Sequence, residues 1–500
     1  MRAYLTLIPI IFLVIFGSSC RKNFEYAPSS GNLSFSKDTV YLDTVFTNIG
    51  SSTYSLKVYN ETRDDILIPS ITLANGENSG YRLNVDGAAG KSFKNIPLFA
   101  KDSLFIFIEV TQNITAQQNS LLYTDAILFD SGIDLQEIPL ITLIKDAVFI
   151  FPTTLANNAK EQVSIGLDDS GNAIFVNGTS LKEEQLHFTN EKPYVIYGYA
   201  SVPSNKELII DAGARVHFHK NAGLIVQNKA SLKINGVLSQ DEELLEGEVI
   251  FEGDRLESEF ENIPGQWGSI RFKKGSTNNL VNYTTIKNAT NGIYVEGELE
   301  SLNNQLQINN THIYNSSNIN LWSKTATISS KNIVLGNAGN TSLLCSFGGK
   351  YTFIHGTIAN YWTQGFREGY ALKITNEKDL ISSEFSNCII DGNKNNEITI
   401  EHREDTSFQI SFTNCIIRTN ITNAENPFLD FSNEDYYTNI YKNEDANFTE
   451  PSKNIFTLKN TSFAIDKGNV EKANLAPLDI KGTNRLSLPE IGAFEFFEIE

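Results

Sequence analysis

A repeated pair of apolar residues, spaced two apart, constrains the fold of this chain more than any other feature. Residues two apart on a strand point to the same face, so each pair marks the buried side of a short strand. The first pair follows a Gly-rich turn. The pairs recur along the chain as Ile270/Phe272, Ile293/Val295, Ile319/Leu321, Leu343/Cys345, Leu372/Ile374, Ile398/Ile400 and Leu429/Phe431.

A second series of pairs alternates with the first. Short apolar strands that recur every few tens of residues between Asn- and Gly-rich turns are typical of solenoids, whose repeats pack on their neighbours. The chain is therefore predicted to be all-β and to contain a β-solenoid. The members of this second series are Thr284/Ile286, Thr311/Ile313, Asn332/Val334, Thr352/Ile354, Cys388/Ile390 and Cys415/Ile417.

The acidic composition argues against nucleic acid as a partner. The sequence has 40 basic and 59 acidic residues, a formal net charge of −19 and a pI near 4.9. Such a surface repels nucleic acids and anionic membrane surfaces at long range. We therefore predict no nucleic-acid partner.

The N-terminus has the features of an export signal. A basic Arg2 precedes an apolar stretch from Leu5 to Phe16, which is too short to span a bilayer as a mature helix. The small residues at 17–19 lead into Cys20 and resemble a bacterial lipobox. That resemblance implies that residues 1–19 are a lipoprotein signal peptide, that Cys20 is lipidated, and that the exported protein is anchored in a membrane, with the outer membrane favoured. An ordinary secretory signal that happens to precede a cysteine is the alternative.

Residues 20–31 are predicted to be a tether and residues 32–146 an antiparallel β-sandwich. The latter stretch alternates at period two, as in Leu104, Ile106 and Ile108, with turn signals every 8 to 12 residues. The run from Asp43 to Ser51 resembles the opening strand of immunoglobulin-like modules in bacterial surface lipoproteins, a resemblance that implies no chemistry. Residues 147–192 are predicted to be a connector with one hairpin.

Residues 193–435 are predicted to form the solenoid. The run Gly223-Leu224-Ile225-Val226 and the run Pro264-Gly265-Gln266-Trp267-Gly268 resemble the right-handed parallel β-helix of the pectin-lyase-like superfold. Residues 436–500 contain Ala464–Gly468, Asp479–Arg485 and Glu490–Glu495, which resemble the C-terminal block of surface proteins called choice-of-anchor Q. We expect this block to cap the last repeat, whose open strand edges would otherwise recruit other chains.

Many parallel β-helices cleave polysaccharides, so catalysis is one hypothesis. The hydrolase signature is incomplete, because His355-Gly356 lacks a preceding glycine and an upstream Asp pair. A lyase needs several acids beside a basic residue on one outer face. Residues 401–405 are consecutive in a turn, where charges are usually solvated, and we assign no catalytic residue. The nearest lyase candidates are Asp391, Glu401, His402, Arg403, Glu404 and Asp405.

No metal site or cofactor is predicted. His217 and His219 share a strand face, but their apolar neighbours are expected to face the core, which leaves both histidines in water without a third ligand. The stretch from Asp241 to Glu261 is strongly acidic, with Arg255 as its single base. It lacks the alternate-residue spacing of a calcium loop and is predicted to be a solvated bulge, although calcium binding there stays open.

Two aromatic residues are the candidates for ligand binding. Tyr294 and Trp322 follow inward-facing residues on successive repeats, so they are expected on the outer face as a stacking platform for sugar rings. Isolated surface aromatics are the alternative. We therefore favour an interaction protein that binds polysaccharide, with a carbohydrate-active enzyme and a structural spacer as the second and third hypotheses.

Two cysteines are predicted to be free. Cys388 and Cys415 lie in near-identical runs and are expected to be in register on adjacent parallel strands, about 4.8 Å apart. In-register side chains run side by side, whereas a disulfide needs Cβ atoms roughly 3.8 Å apart. Both thiols are therefore expected to be reduced and buried.

Overall fold

The computed structural model describes residues 26–113, 120–156, 158–167, 170–299, 305–422 and 426–497. The predicted signal peptide, Cys20 and the start of the tether lie outside these residues. Internal contacts divide the chain into two compact units between Asp146 and Ala147. Within the described ranges, no helix has the length and apolarity that crossing a membrane would require.

The first unit contains two sheets around one core. One sheet has the order β1-β5-β10-β11-β3 with β8 paired to β5, and the other has the order β2-β4-β9-β6-β7. Most pairings are antiparallel; β1 with β5 and β11 with β3 are parallel. The strands are β1 (Ala27–Pro28), β2 (Ser34–Phe35), β3 (Val40–Phe46), β4 (Tyr54–Tyr59), β5 (Ile66–Leu73), β6 (Tyr81–Val85), β7 (Ala88–Gly90), β8 (Ser92–Leu98), β9 (Ser103–Val110), β10 (Ser120–Phe129) and β11 (Gln136–Lys145).

The period-two pattern explains this core. In β9, Leu104, Ile106 and Ile108 are buried, whereas Phe105 and Phe107 are exposed on the opposite face. Alternate residues of a strand point to opposite faces, so one face of each sheet supplies the core. Apolar residues of both sheets belong to the same buried cluster.

The second unit is built from short strands and one short helix. Its strands are β12 (Val148–Ile150), β13 (Gln162–Leu167), β14 (Ala173–Ser180), β15 (His187–Phe188), β16 (Tyr194–Ile196), β17 (Tyr199–Val202), β18 (Glu207–Asp211), β19 (Arg215–Phe218), β20 (Gly223–Val226), β21 (Ser231–Asn235), β22 (Val249–Gly253), β23 (Ile270–Phe272), β24 (Asn279–Lys287), β25 (Asn291–Glu296), β26 (Leu306–Ser316), β27 (Ile319–Lys324), β28 (Thr327–Ala338), β29 (Thr341–Ser346) and β30 (Gly349–Ile354). The remainder are β31 (Thr357–Asn360), β32 (Leu372–Thr375), β33 (Leu380–Ser386), β34 (Ile389–Gly392), β35 (Ile398–Glu401), β36 (Phe408–Ile417), β37 (Tyr437–Lys442), β38 (Phe448–Glu450), β39 (Ile455–Leu458) and helix α1 (Val470–Ala473). The 3₁₀ turns of the chain are Gly76–Asn78, Gly132–Asp134, Glu183–Gln185, Ser258–Phe260, Pro427–Leu429 and Pro451–Lys453.

Most of these strands form two large parallel sheets, so the protein is all-β as predicted. One sheet has 16 strands and the other has 10, in the order β13-β14-β17-β20-β23-β25-β27-β29-β32-β35. The pairing begins within the predicted connector, because β12 pairs with β16 and β14 with β17. The hairpin of β13 and β14 is antiparallel.

The 16-stranded sheet bends into two limbs at residues with positive φ. Asn310 and Asn332 have φ of 47° and 53° in the middle of β26 and β28, and His355 and Asn387 have φ of 52° at equivalent positions. Asparagine tolerates this left-handed conformation better than most residues. Each long strand therefore has one segment in the first limb and, after the bend, a second segment in the second limb. We call this bend the first corner.

Residues from both limbs and from the 10-stranded sheet form one apolar core. The pairs at 270/272, 293/295, 372/374 and 398/400 are all buried there. Four pairings were wrong. Leu321 and Ser323, not Ile319 and Leu321, are in register with Ile293 and Val295.

The other three corrections concern the second series and the last pair. Ile333 and Leu335 face the core in register with Thr311 and Ile313, so the pair Asn332/Val334 is displaced by one residue. Tyr351 and Phe353 face the core in β30, so the pair Thr352/Ile354 is displaced by one residue as well. At the last pair, Leu429 ends a 3₁₀ turn instead of occupying a strand. The displacement in β28 arose because the C-terminal segment covers the outer face of this strand. Apolar residues therefore occur on both faces of β28.

Stacked aromatic rings form part of the core at its C-terminal end. Phe353, Phe385, Phe412 and Tyr437 stack in succession, with centroid separations of 5.2, 4.8 and 5.3 Å. Phe428 packs over the end of this core and is 8% exposed. Aromatic residues between 427 and 437 therefore pack at this end of the core, where β37 also pairs with β36.

The cysteine prediction is confirmed. Cys388 and Cys415 are both free and fully buried, and Cys345 is also free and buried. The register of β34 on β36 pairs Ile389 with Ile416, which places the two cysteines side by side.

The C-terminal segment follows the side of the second limb. Its apolar residues, including Ile480 and Ile491, pack on Val334, Ile389 and Ile416 from successive strands. This block therefore covers an outer face of the second limb, and its role as a cap of the last repeat stays a prediction. Apolar residues on the outside of the second limb require this cover.

Side chains of the first corner hold this segment in place. Asn332 Nδ2 donates to Leu478 O at 2.9 Å, and Asn414 Nδ2 donates to Lys467 O at 2.8 Å. Asn387 accepts a hydrogen bond from the backbone N–H of Asn469 at 2.7 Å. The left-handed corner residues thus direct their amides toward the segment that covers the limb.

Candidate functional site

The two predicted platform residues lie on adjacent strands of the 10-stranded sheet. Tyr294 is in register with Trp322, and their ring centroids are 4.7 Å apart in an edge-to-face arrangement. Tyr294 is only 6% exposed, because the guanidinium of Arg271 lies over its ring and its hydroxyl donates to Glu296 at 2.8 Å. The expectation of an open outer face is therefore corrected for Tyr294. Sugar binding by this pair stays a prediction.

The candidate lyase residues do not converge. Asp391 is 1% exposed, is paired with Arg418 and accepts a hydrogen bond from the Tyr361 hydroxyl at 2.7 Å. Glu401 lies at the end of β35 in the other sheet and pairs with Lys373. The residues that follow Glu401 have other surroundings. His402 packs against the ring of Phe428, and Arg403 pairs with Asp405. Glu404 is exposed.

The two histidines differ in exposure. His217 is 5% exposed, with Nδ1 at 3.2 Å from Gly253 O and 3.5 Å from Glu252, so the expectation that both histidines are solvated is wrong for this one. His219 is exposed and lies 2.7 Å from Asp254. Neighbouring strand β22 covers His217 because the two strands pair in register.

No metal site emerges within the described ranges, where no group of three or more His, Cys, Asp or Glu side chains is arranged to hold an ion. In the acidic stretch, Asp241 accepts hydrogen bonds from the backbone N–H groups of Glu243 and Leu244. Glu246 accepts from the N–H of Gln240 at 2.6 Å. These carboxylates thus stabilise the turn in which they lie by accepting hydrogen bonds from its backbone.

The clearest candidate site is a groove of about 470 Å³ on the outer face of the second limb. Its base is formed by residues of β26 and β28, and its walls come from three connections far apart in sequence. We call it the amide groove because amide side chains dominate its lining. The lining residues are Glu261, Asn262, Tyr314, Asn315, Asn337, Trp362, Thr363, Gln364, Ser452, Lys453, Asn454 and Ile455.

Hydrogen bonds tie the walls of the amide groove to its base. Asn315 Nδ2 donates to Asn262 O at 2.9 Å, and Gln364 Nε2 donates both to Asn262 O at 3.1 Å and to Asn315 Oδ1 at 3.2 Å. Asn337 Nδ2 donates to Pro451 O at 2.7 Å. Asn315 and Asn337 have φ of 57° and 43°, so they form a second corner of left-handed residues.

A buried ion pair fixes the connection that carries Trp362 and Gln364. Arg367 and Glu397 are 3% and 0% exposed in their side chains, and the guanidinium donates to both carboxylate oxygens at 2.9 and 2.6 Å. The same carboxylate accepts from the backbone N–H groups of Ala371 and Lys394. A bidentate pair with these extra donors orients the connection that forms one wall.

Three polar groups of the amide groove keep hydrogen-bonding capacity. No protein partner for the Tyr314 hydroxyl or the Trp362 indole N–H occurs among the described residues, and Asn454 Oδ1 is buried without one. Burial raises the pKa of Tyr314, an effect that the positive charge of Lys287 opposes, so the phenol stays neutral. A neutral phenol, an indole N–H and amide groups suit an uncharged ligand rich in hydroxyls.

Sequence reasoning did not find the amide groove. Its residues come from two strands and three connections between 261 and 455, and only packing brings them together. The available signal was the recurrence of asparagine at the ends of the second-series strands, at Asn288, Asn315 and Asn337. Those residues were interpreted only as turn formers.

Comparisons with known proteins give no family. No protein-family model matches the chain, and no curated protein matches it. Among solved structures, 26% of the chain is similar to 94% of the ASH / PapD-like domain of human CEP192, at 9% identity and a TM-score of 0.16. A TM-score of that size carries no argument about the fold or function of this chain.

Proposed function

We propose that this protein is an exported, lipid-anchored bacterial protein that binds a glycan on the outer face of a right-handed parallel β-helix. The first unit would be an immunoglobulin-like sandwich between the anchor and the β-helix. Successive parallel pairings around one shared core support the β-helix, and parallel crossovers are almost always right-handed. The export signal and Cys20 support the anchor.

The amide groove carries the proposal of glycan binding. Its size suits one or two sugar rings, and its lining combines Trp362 and Tyr314 with several amides. Sugars present hydroxyl groups around an apolar ring face, which amides and aromatic rings complement. The site differs from the predicted platform at Tyr294 and Trp322, because Arg271 and Glu296 already contact Tyr294.

Removing one hydroxyl tests the amide groove. Tyr314→Phe keeps the ring and is expected to weaken binding of a neutral oligosaccharide about three- to tenfold, because one hydrogen bond contributes roughly 0.5–1.5 kcal/mol. Isothermal titration of the chain from Arg21 onward with cello-, xylo-, malto- and chitotetraose measures this change.

Phe366→Ala is the matched control, because Phe366 lies on the same connection, is 86% exposed and does not line the amide groove. The proposal fails if none of the four tetrasaccharides binds at millimolar concentration, or if the phenylalanine variant binds as well as the parent protein. Release of shorter products would instead favour the carbohydrate-active enzyme.

The anchor has a separate test. Cys20→Ala removes the acceptor for the lipid, so the protein is expected to move from the membrane fraction to the soluble fraction. Cys345→Ala is the control, since this cysteine is buried in the second unit. Fractionation followed by immunoblotting measures the distribution, and unchanged membrane retention of the Cys20 variant would contradict lipid anchoring.

A further inference from the structure

A second cleft contains an arginine, Arg271, that donates no hydrogen bond to another described residue. Arg271 lies on the outer face of the 10-stranded sheet, in register with Tyr294, and its guanidinium carbon is 4.4 Å from the centroid of that ring. Its buried Nε has no hydrogen-bond partner, and none of its guanidinium nitrogens donates to another described residue. An arginine has five donors in a planar fork, and an unused buried donor is costly.

The cleft beside Arg271 has a volume of about 560 Å³. The β13–β14 hairpin supplies one side with Gln162, Phe175 and Asn177, and the sheet and its turns supply Ser269 and Asn291 among others. Phe175 is 56% exposed, so it presents a free ring at this cleft. Most of the other lining residues carry a side-chain amide or hydroxyl group.

Two glycines make room for a further lining residue, Tyr199. A Cβ atom on Gly268 would lie 2.2 Å from the Tyr199 hydroxyl oxygen, and one on Gly223 would lie 2.4 Å from its ring. The hydroxyl lies 3.5 Å from Ser269 Oγ. Gly268, in the turn before β23, is therefore required for the phenol to reach the cleft.

The carboxylate of Glu296, on the strand beside Arg271, has other partners. Glu296 accepts a hydrogen bond from the Tyr294 hydroxyl at 2.8 Å and lies 4.0 Å from Lys273 Nζ. Arg271 is the one charged side chain among the residues that line the cleft. The cleft therefore presents a single, oriented positive charge surrounded by neutral polar groups.

From this geometry we propose that the cleft binds an acidic sugar, with the carboxylate of the sugar ring on Arg271 and its hydroxyls on the amides and hydroxyls of the lining. The guanidinium fork matches a carboxylate in a bidentate arrangement. One cation balances one carboxylate, whereas a phosphate dianion would need further positive charge in this acidic protein. Phe175 offers its face to the apolar side of the ring.

Two monosaccharides that differ at one position test this proposal. Methyl glucuronide carries a carboxylate where methyl glucoside carries a hydroxymethyl group. Ligand-observed NMR titration of the chain from Arg21 onward is expected to give about 10- to 100-fold tighter binding of methyl glucuronide, the ratio that hydrogen bonds to a charged group provide. Inorganic phosphate is expected not to compete at equal concentration.

Variants assign the effect to Arg271. Arg271→Gln is expected to abolish the preference for methyl glucuronide, and Arg271→Lys to retain part of it, because lysine keeps the charge without the fork. Lys378→Gln is the control, since it removes one charge from an exposed residue outside the cleft.

Equal binding of the two monosaccharides by the parent protein would overturn the proposal without any variant. So would a preference that persists in Arg271→Gln, or competition by phosphate at equal concentration. The proposal extends glycan binding to a second site, and its failure is distinguishable from failure of the amide groove. Tyr314→Phe is expected to leave methyl glucuronide binding unchanged, and Arg271→Gln to leave neutral tetrasaccharide binding unchanged.

Discussion

Replacing Arg367 by methionine is expected to lower the free energy of unfolding of the second unit by about 3–5 kcal/mol. The substitution leaves the Glu397 carboxylate buried without its cation, and that side chain is 0% exposed. Removing one partner of a buried ion pair strongly destabilises a protein, because the remaining charge is buried without compensation. Replacing both partners by apolar residues of similar volume is often close to neutral. Guanidinium denaturation of the chain from Arg21 onward measures the loss.

Two comparisons identify the cause. Arg403→Met removes an arginine that is 57% exposed and paired with Asp405, so a loss of about 0–1 kcal/mol is expected. The double variant Arg367→Met, Glu397→Leu removes both charges and is expected to be more stable than the single variant. A single variant within about 1 kcal/mol of the parent protein would show that the pair does not hold this connection.

The second large effect concerns a buried cluster in the C-terminal segment. Arg485, Glu490 and Glu495 are all buried, and Arg485 Nε lies 3.4 Å from Glu495 Oε1. Burial and the hydrogen bond with Glu490 raise the pKa of Glu495 to about 9, although Arg485 opposes the shift. Glu495 therefore holds a proton at neutral pH in the folded protein.

This proton makes stability depend on pH. The folded state keeps it up to about pH 9, whereas the unfolded state loses it near the ordinary glutamate pKa of about 4.3. The stabilisation is complete below the unfolded pKa and is lost as the pH rises through the folded pKa. The free energy of unfolding is therefore expected to fall steadily as the pH rises from roughly 5 to 9.

Glu495→Gln removes the titration while keeping a hydrogen-bond donor for Glu490, so its stability is expected to vary less with pH across this range. Glu444→Gln, at an exposed position, is the control and is expected to retain the slope of the parent protein. Calorimetric melting curves at pH 5, 7 and 9 provide the measurement. Parallel pH profiles for the parent protein and the Glu495 variant would contradict a proton held by Glu495.

The sequence predicted the fold best where one face of a strand is apolar and the other is polar. The pairs Ile270/Phe272 and Leu372/Ile374 face the core because the intervening Arg271 and Lys373 lie on an outer face. The same rule failed at β28, where Val334 packs outward on the C-terminal segment. Hydrophobic periodicity shows which residues of a strand are buried. It cannot show which face lies in the core when both faces are buried.

The candidate sites show the same limit. Tyr294 and Trp322 lie on adjacent strands as predicted, because successive repeats pair with one another, although the predicted pair Ile319/Leu321 was out of register. The cover over Tyr294 was not predicted, since Arg271 belongs to the preceding strand and the hairpin beside it comes from residues 162–180. Side-chain contacts of this kind depend on which connections pack on the sheet.

The sequence by itself determined an all-β chain with recurrent strands, buried unpaired cysteines and an acidic surface, because strand period and charge are local properties. Only the tertiary structure decided that residues 464–497 cover the second limb, that Gln364 meets Asn262, and that Arg271 donates no hydrogen bond to another described residue. These features join residues far apart in sequence, or depend on which groups surround a side chain in space. Their physical origin is the packing of long connections on the outer faces, where no repeat in the sequence fixes the position of a side chain.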